Sequence, residues 1–352
     1  MKETQTPNIF RLATKELSQD GFFAWLLQWA DQNFEHINSD LNHTAQDFVR
    51  RLIGQTDNYA VTTVVAGRQW HNIDVWAEVN GEYFICIEDK TNTSRHSNQL
   101  TRYKKLVEDE YDGKPHTLIF IYLKTGNESL SSLGLIANKE GYETIDRAIV
   151  LEILNRRQVN NDIFNDFRSY LTQLQELTNS CSNLRAINTD ESAAQGFYLN
   201  LQKIIPEWTD WNYVSNPTGG FWGFWYHWVQ INDFKLYIQI ENKIKVDLQV
   251  KIKIEGKAPS IDYLNQLCSQ LGELASRHGL LVARPKKFSL GNTSTLAIVV
   301  NAFPSASDEE IDLSHILNNL QNLQQVLDEY ALIAGSKENV EIPKMSRDVA
   351  SD

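Results

Sequence analysis

Cysteine is scarce in this chain. Cys86, Cys181 and Cys268 are the three in 352 residues, odd in number and far apart. They make no disulfide framework and no zinc spacing, which fits a reducing, cytoplasmic setting. Long apolar runs are missing as well. None approaches the roughly 20 residues of a membrane-spanning helix. The first residues include Lys2, Glu3, Thr4 and Gln5 and form no apolar signal segment. The expectation is a soluble intracellular protein, bacterial in style, with no membrane partner. Positive charge is in deficit: 33 Lys and Arg stand against 45 Asp and Glu, a net charge of −12. That argues against broad, non-specific coating of nucleic acid. It leaves room for local phosphate binding, because a metal ion and a local basic strip can hold phosphates on an acidic protein. The histidines show no metal spacing, and His227 and His278 read as structural, with His71 the one exception because it shortly precedes Asp74. There is no internal repeat and no low-complexity tract.

What is present centres on His71 to Tyr103. Ile73-Asp74 comes first, then a turn at Asn80-Gly81. Ile85-Cys86-Ile87-Glu88-Asp89-Lys90 follows, and then Gln99-Leu100-Thr101-Arg102-Tyr103. An apolar strand ending in Glu-x-Lys is costly to place near a core, since buried Glu and Lys must be paired or bind a metal. Residues 72–79 and 83–90 read as a hairpin around Asn-Gly. Side chains alternate along a strand, so Glu88 and Lys90 share a face with Phe84 and Cys86. A two-residue turn pairs Val79 with Glu82 and sets Asp74 opposite Ile87, on the wrong face. A three-residue loop pairs Glu78 with Glu82 and sets Asp74 opposite Cys86, diagonal to Glu88. Diagonal neighbours are roughly 7–8 Å apart, close enough for two carboxylates to share an ion. The functional reading therefore requires a three-residue loop or a bulge.

With that loop, Asp74, Glu88 and a backbone carbonyl of Asp89 form an all-oxygen site suited to Mg²⁺ or Mn²⁺. Lys90 would orient the attacking water or neutralise charge developing on a phosphate. Ser94 or Ser97 can cap a helix running to about Glu108. On it Gln99 and Tyr103 share a face and could close over the metal or touch a nucleotide. Arg95, His96, Arg102, Lys104 and Lys105 form a basic strip for nucleic acid beside this site. The plainer reading is that they solvate a helix.

These residues carry a resemblance. Asp74, Glu88-Asp89-Lys90 and Gln99-x-x-x-Tyr103 resemble the PD-(D/E)XK nuclease superfamily, in particular its RecB-like branch. The N-terminal Lys15-Glu16-Leu17-Ser18-Gln19-Asp20-Gly21-Phe22-Phe23 is similar to the opening helix of an uncharacterised bacterial group in it. The likeness spans about residues 10–125, and Ile73 stands where the nominal motif has Pro. It implies Asp74, Glu88 and Lys90 as the catalytic set. An acidic residue of the first helix would support the metal, Asp20 by preference and Glu16 next. It also implies a metal-dependent phosphodiesterase, acting on DNA more than RNA, in a mobile-element or phage-defence context. RNA processing, or a non-enzymatic binding module on the same fold, is the alternative. A protein partner or a homodimer is compatible with so acidic a surface.

The chain contains its own control, Glu241-Asn242-Lys243, which lacks the spaced Asp and the Gln-x-x-x-Tyr helix. It runs into an alternating strand with one wet face, where such triplets are solvated or paired across strands.

Length favours two domains. Residues 1–180 read as a three-layer α/β/α, restriction-endonuclease-like core. It has helix over 9–53, with Phe22, Trp25, Leu26 and Trp29 on one apolar face, and a strand over 59–66. The hairpin and its helix follow, then a buried strand at 117–123, which makes a crossover unit. Helix is expected over 141–176. Leu177 to Asn183 reads as a linker. Residues 190–335 read as an α+β domain that chooses substrate or partner. Its helices fall at 191–206, 260–278 and 308–333, and its strands at 221–232, 234–242, 244–255 and 295–303. The tail from Ser336 is polar and expected to be disordered. Five tryptophans, Trp208, Trp211, Trp222, Trp225 and Trp228, could stack on bases. Their alternation favours packing. Arg284-Pro285-Lys286-Lys287 is a basic loop, and Gly219-Gly220 suggests a flexible entry to the strand or a close backbone approach.

Overall fold

The computed structural model describes residues 7–92, 98–217, 219–244, 246–256, 260–288, 291–303 and 312–334. Arg95, His96, the two serine caps and the C-terminal tail lie outside them. The chain divides into two compact units, Met1–Glu128 with Ser132–Glu176, and Ser129–Ser131 with Leu177–Asp352. No described helix is long and apolar enough to cross a membrane.

The first unit opens with helices α1 (Glu16–Trp29) and α2 (Ser39–Leu52). A five-stranded sheet follows, built from β1 (Val64–Trp70), β2 (Ile73–Val79), β3 (Tyr83–Lys90), β4 (Thr117–Lys124) and β5 (Glu143–Asp146). The strands lie in sequence order. β1 to β3 are antiparallel, and β3, β4 and β5 run parallel. Helix α3 (Gln99–Glu110) is the crossover between β3 and β4. Short α4 (Leu130–Leu135) follows β4, and α5 (Arg147–Leu154) and α6 (Asp162–Asn179) follow β5.

Odd-numbered residues of β2 and β3 (Val75, Ala77, Val79, Ile85, Ile87) join Ile121, Leu123 and Ile145 against α1, α2, α5 and α6. Even-numbered Phe84 and Cys86 join Phe120 and Tyr122 against Leu100, Tyr103 and Val107 of α3. Both faces of the sheet are covered, so β3 runs apolar from Phe84 to Ile87 and β4 from Leu118 to Leu123, as parallel strands between helix layers do, before each ends in charge. This is the mixed α/β, restriction-endonuclease-like core that the motif implied. In the α1 layer Phe167 stacks on Phe22 at 3.8 Å and meets Phe10 and Phe23 edge-on.

Several expectations are corrected. Residues 9–53 are not one helical stretch, because a short 3-10 turn at Gln32–Phe34 separates α1 from α2. α1 buries Phe23, Leu27 and Asp20 as well as Phe22 and Leu26, so its contact is broader than one face. The first strand starts at Val64, not at 59. The Asn80 side-chain oxygen accepts from the backbone N–H of Thr62 and of Thr63, which takes those groups out of any ladder. Residues 143–146 form edge strand β5 rather than helix. Ile145 there is buried against β4, and Asp146 caps α5 by accepting from Ile149 N–H. The supposed linker begins inside α6, which runs to Asn179.

The second unit holds α7 (Leu184–Thr189), α8 (Glu191–Ile204), α9 (Ile261–Arg277) and α10 (Leu313–Ile333). Its strands are β6 (Thr209–Val214), β7 (Phe221–Ile231), β8 (Phe234–Asn242), β9 (Gln249–Glu255), β10 (Val282–Ala283) and β11 (Thr293–Val299). They form one antiparallel sheet in the order β10-β11-β9-β8-β7-β6. Phe224, Tyr226, Ile238, Ile240, Val250 and Ile252 pack against Phe197, Leu201, Leu271, Leu320 and Leu323 of the helices. β6 and β10 escape a sequence reading, the first because Asp210 and Asn212 interrupt its apolar pattern and the second because it is two residues long. The tryptophans pack. Trp211 is buried, Trp228 stacks on Tyr237 at 5.4 Å, and the Trp225 indole donates to Gln239. A Cβ on Gly220 would meet the Tyr213 hydroxyl at 2.4 Å, the close approach that the glycine pair suggested. His227 bridges Glu207 and Asp328, and His278 meets Glu329.

Candidate active site

The β2–β3 loop decides whether the carboxylates meet. The observed pairing is Val79 with Tyr83, Glu78 with Phe84 and Val75 with Ile87. The loop is thus Asn80-Gly81-Glu82, three residues. Asn80 and Gly81 are left-handed, with φ of 55° and 67°. It is displaced one residue from the three-residue loop expected from the sequence, so Asp74 falls level with Glu88 rather than with Cys86. Both stand on the α3 face, closer than the diagonal arrangement would have put them. The Asp74 carboxylate also accepts the Asp89 backbone N–H at 3.0 Å, which fixes it to the end of β3.

Lys90 gathers the acids. Its Nζ lies 2.5 Å from Glu88 Oε1, 3.7 Å from Asp74 Oδ2 and 3.9 Å from Glu16 Oε2. Glu16 sits in the first turn of α1 and also accepts the Thr91 backbone N–H at 3.2 Å. Glu88 is wholly buried. Burial, and then the charge of Asp74, push its carboxyl up to about 8, against the pull of Lys90. Burial raises Asp74 too, opposed by Lys90 and the Asp89 N–H. For Lys90 burial pulls down, but Glu88, Asp74 and Glu16 outweigh it and hold the ammonium up to about 12. The three acids and one base form a cluster with excess negative charge.

The side chain of Asp89 points to the other face, toward α1. There it meets Asp20, and Gln19 donates to it at 2.5 Å. Gln19 in turn accepts from the Thr125 hydroxyl at 2.5 Å. Burial raises both carboxyls, Asp89 well above its ordinary range and Asp20 to about 6. Of the two candidates on α1, Glu16 therefore reaches Lys90, while Asp20 is engaged behind β3. Only the backbone of Asp89 is placed to serve an ion beside Asp74 and Glu88. Gln19 was not foreseen, because a glutamine in an amphipathic helix reads as surface.

Gln99 and Tyr103 do share a face of α3, and the Gln99 amide donates to the Tyr103 hydroxyl at 3.2 Å. Tyr103 is buried among Leu100, Phe120 and Tyr122. Asn98, not a serine, is the residue before the helix, and its side chain makes no cap. Of the basic strip, Arg102 lies over the Tyr103 ring at 5.1 Å and Lys104 over Phe120 at 5.5 Å, while Lys105 is exposed. Lys124 closes β4 as Lys90 closes β3 and is buried as well. No motif marks it in the sequence, where its one signal is a lysine ending the apolar strand Thr117–Leu123.

The control triplet behaves as ordinary sheet. Glu241 pairs across strands with Lys251 and takes the Gln239 amide. Arg284 of the basic loop donates to Asn265 and covers the Phe288 ring.

Among the described residues no three His, Cys, Asp or Glu side chains are gathered tightly enough to chelate an ion as they stand. The donor set nevertheless suits a hard divalent cation. It is all oxygen, and the Glu88 oxygens are buried and accept no hydrogen bond from a neutral donor. Two carboxyls raised chiefly by burial are relieved by added positive charge.

No curated protein and no solved structure matches this chain. One family model does, over residues 7–186, just over half of the 352. The matched stretch contains every element that builds the Asp74–Glu88–Lys90 cluster. The chain belongs to the PD-(D/E)XK nuclease superfamily.

Proposed function

We propose that this protein is a metal-dependent nuclease that hydrolyses phosphodiester bonds, in DNA by preference over RNA. The observation that carries the reading is the level pairing of Asp74 with Glu88 beside Lys90, three ionisable groups placed together in a mostly buried setting at the end of β3. Such burial of charge has no stabilising rationale of its own and is the usual mark of a catalytic site. Asp74, Glu88 and the backbone of Asp89 would hold Mg²⁺ or Mn²⁺, with Glu16 in support. A bound ion of this kind supplies Lewis-acid activation of the phosphodiester and lowers the pKa of a water.

The chain's own groups do the rest. Lys90, kept protonated by three carboxylates, orients the nucleophilic water and offsets charge building on the phosphate. The Asp89 N–H keeps Asp74 oriented. Burial favours the neutral forms of Asp20 and Asp89 behind the strand, which limits the negative charge there. Arg102 and Lys105 of α3 contribute to phosphate-backbone contact beside the centre. The Gln99–Tyr103 pair supports a RecB-like affiliation, and the lone cysteines fit cytoplasmic work. The test is metal binding itself. Mn²⁺ titration followed by electron paramagnetic resonance should show a bound ion in the wild type that Asp74→Ala and Glu88→Gln both lose. Equal binding by all three proteins contradicts the assignment.

A further inference from the structure

The β3–β4 register sets Glu88 level with Tyr122 and Lys90 level with Lys124. Level residues on neighbouring strands share a face, so Lys124 stands on the face that carries Asp74, Glu88 and Lys90. It is 2% exposed. Its Nζ lies 3.5 Å from Glu128 Oε2. The same carboxylate accepts the Tyr122 hydroxyl at 2.8 Å and the Ser132 hydroxyl, so the lysine's partner is itself fixed from two further sides. Burial pulls the ammonium below its usual pKa. Glu128 and then Glu16 oppose that, and Lys90 adds to it. Influence from Glu16 and Lys90 places Lys124 in the field of the same cluster.

A buried lysine–carboxylate pair is a poor way to stabilise the end of a strand. Its desolvation is seldom recovered in full, and apolar residues of similar volume do as well or better. The charge balance supplies a different reason. Lys90 is already committed to Glu88, Asp74 and Glu16. A phosphodiester approaching the cluster finds its one ammonium already engaged by acids. A second cation on a rigid strand, held by a carboxylate outside the three, corrects that without disturbing Lys90.

We propose that Lys124 is a second substrate-contacting lysine, whose ammonium binds a non-bridging oxygen of the phosphodiester acted on at Asp74, Glu88 and Lys90. This rests on the nuclease reading above. Glu128 is then a positioning residue, holding Lys124 through its carboxylate.

The experiment compares wild type, Lys124→Met, Lys124→Arg and Asp74→Ala. Binding of labelled single-stranded and duplex DNA and RNA is followed by fluorescence anisotropy in chelator across a salt series. Then kcat and KM are taken with Mg²⁺ or Mn²⁺ on the substrate bound best. Loss of a charged hydrogen bond should raise Kd and KM roughly 10- to 100-fold in Lys124→Met. The slope of log affinity against log salt should shrink by about one phosphate contact, and Lys124→Arg should restore the slope. If Lys124→Met does not fold, Lys124→Gln, which keeps a donor for Glu128, replaces it in the same comparison. Asp74→Ala inactive with wild-type KM and salt slope in the Lys124 variants overturns this inference alone. Asp74→Ala as active as wild type, or a wild type that neither binds nor cleaves any of the four nucleic acids, overturns the nuclease reading and this inference with it.

Discussion

Replacing Glu88 by Gln should make the metal-free protein more stable at alkaline pH. Glu88 ordinarily titrates near 4.5, and in the folded state burial and Asp74 hold it up to about 8. Between those values the folded chain binds more protons at this position than the unfolded chain does. Stability therefore falls as pH rises through the window from 4.5 to 8. Each pKa unit corresponds to about 1.4 kcal/mol, so the full shift is worth roughly 5 kcal/mol, an upper figure because Lys90 and Asp74 share the titration. For a unit of this size that is on the order of 10 °C in melting temperature. Glu88→Gln keeps the volume and removes the ionisation. The assay is thermal unfolding in chelator at pH 5, 6.5 and 8.5. The wild type should lose melting temperature relative to the variant across that range. At pH 8.5 Mn²⁺ should raise the wild type more than the variant, since binding to the folded state alone stabilises it. Parallel pH profiles for the two proteins would refute the reasoning, because Glu88 would then titrate alike folded and unfolded.

Three further outcomes are expected. Gly126→Ala would bring a Cβ within 1.9 Å of the Thr91 backbone oxygen, one residue beyond Lys90. It should cost about 1–3 kcal/mol by overpacking and lower cleavage, read by denaturant unfolding beside a nuclease assay. Phe167→Ala removes the ring that meets Phe10, Phe22 and Phe23. A loss of about 3–5 kcal/mol is expected in urea unfolding, and a loss under 1 kcal/mol would mean that the aromatic layer is dispensable. Glu241→Gln, in the control triplet paired with Lys251, should leave metal-dependent cleavage unchanged. A variant as inactive as Asp74→Ala would mean that the wrong Glu-x-Lys had been chosen.

The candidate face was legible because period-two alternation fixes Glu88 and Lys90 together whatever the loop does. The position of Asp74 was not, since one residue in the turn reverses its face. Asn80 resolves it, because its side chain bonds Thr62 and Thr63 while its backbone takes the left-handed turn. That same tertiary contact moved the start of β1. The strand at Glu143 to Asp146 was hidden because four residues next to a capped helix carry too little pattern, and only pairing with β4 reveals them. Asp89 was legible only as a backbone carbonyl for the metal. Its burial against Asp20 and Gln19 depends on how α1 crosses the sheet, which local sequence does not encode. Lys124 escaped for a similar reason, because its importance lies in parallel register with Lys90 and not in any neighbour along the chain.

The most direct measurement is cleavage of plasmid, linear duplex, single-stranded DNA and RNA with Mg²⁺ or Mn²⁺, by wild type, Asp74→Ala and Lys90→Ala prepared alike. The account predicts cleavage of at least one substrate that chelator abolishes and that each variant loses by about 10²-fold or more, the scale of removing one preorganised electrostatic group. Cleavage equal in all three proteins, or none by the wild type on any substrate with either ion, would contradict it.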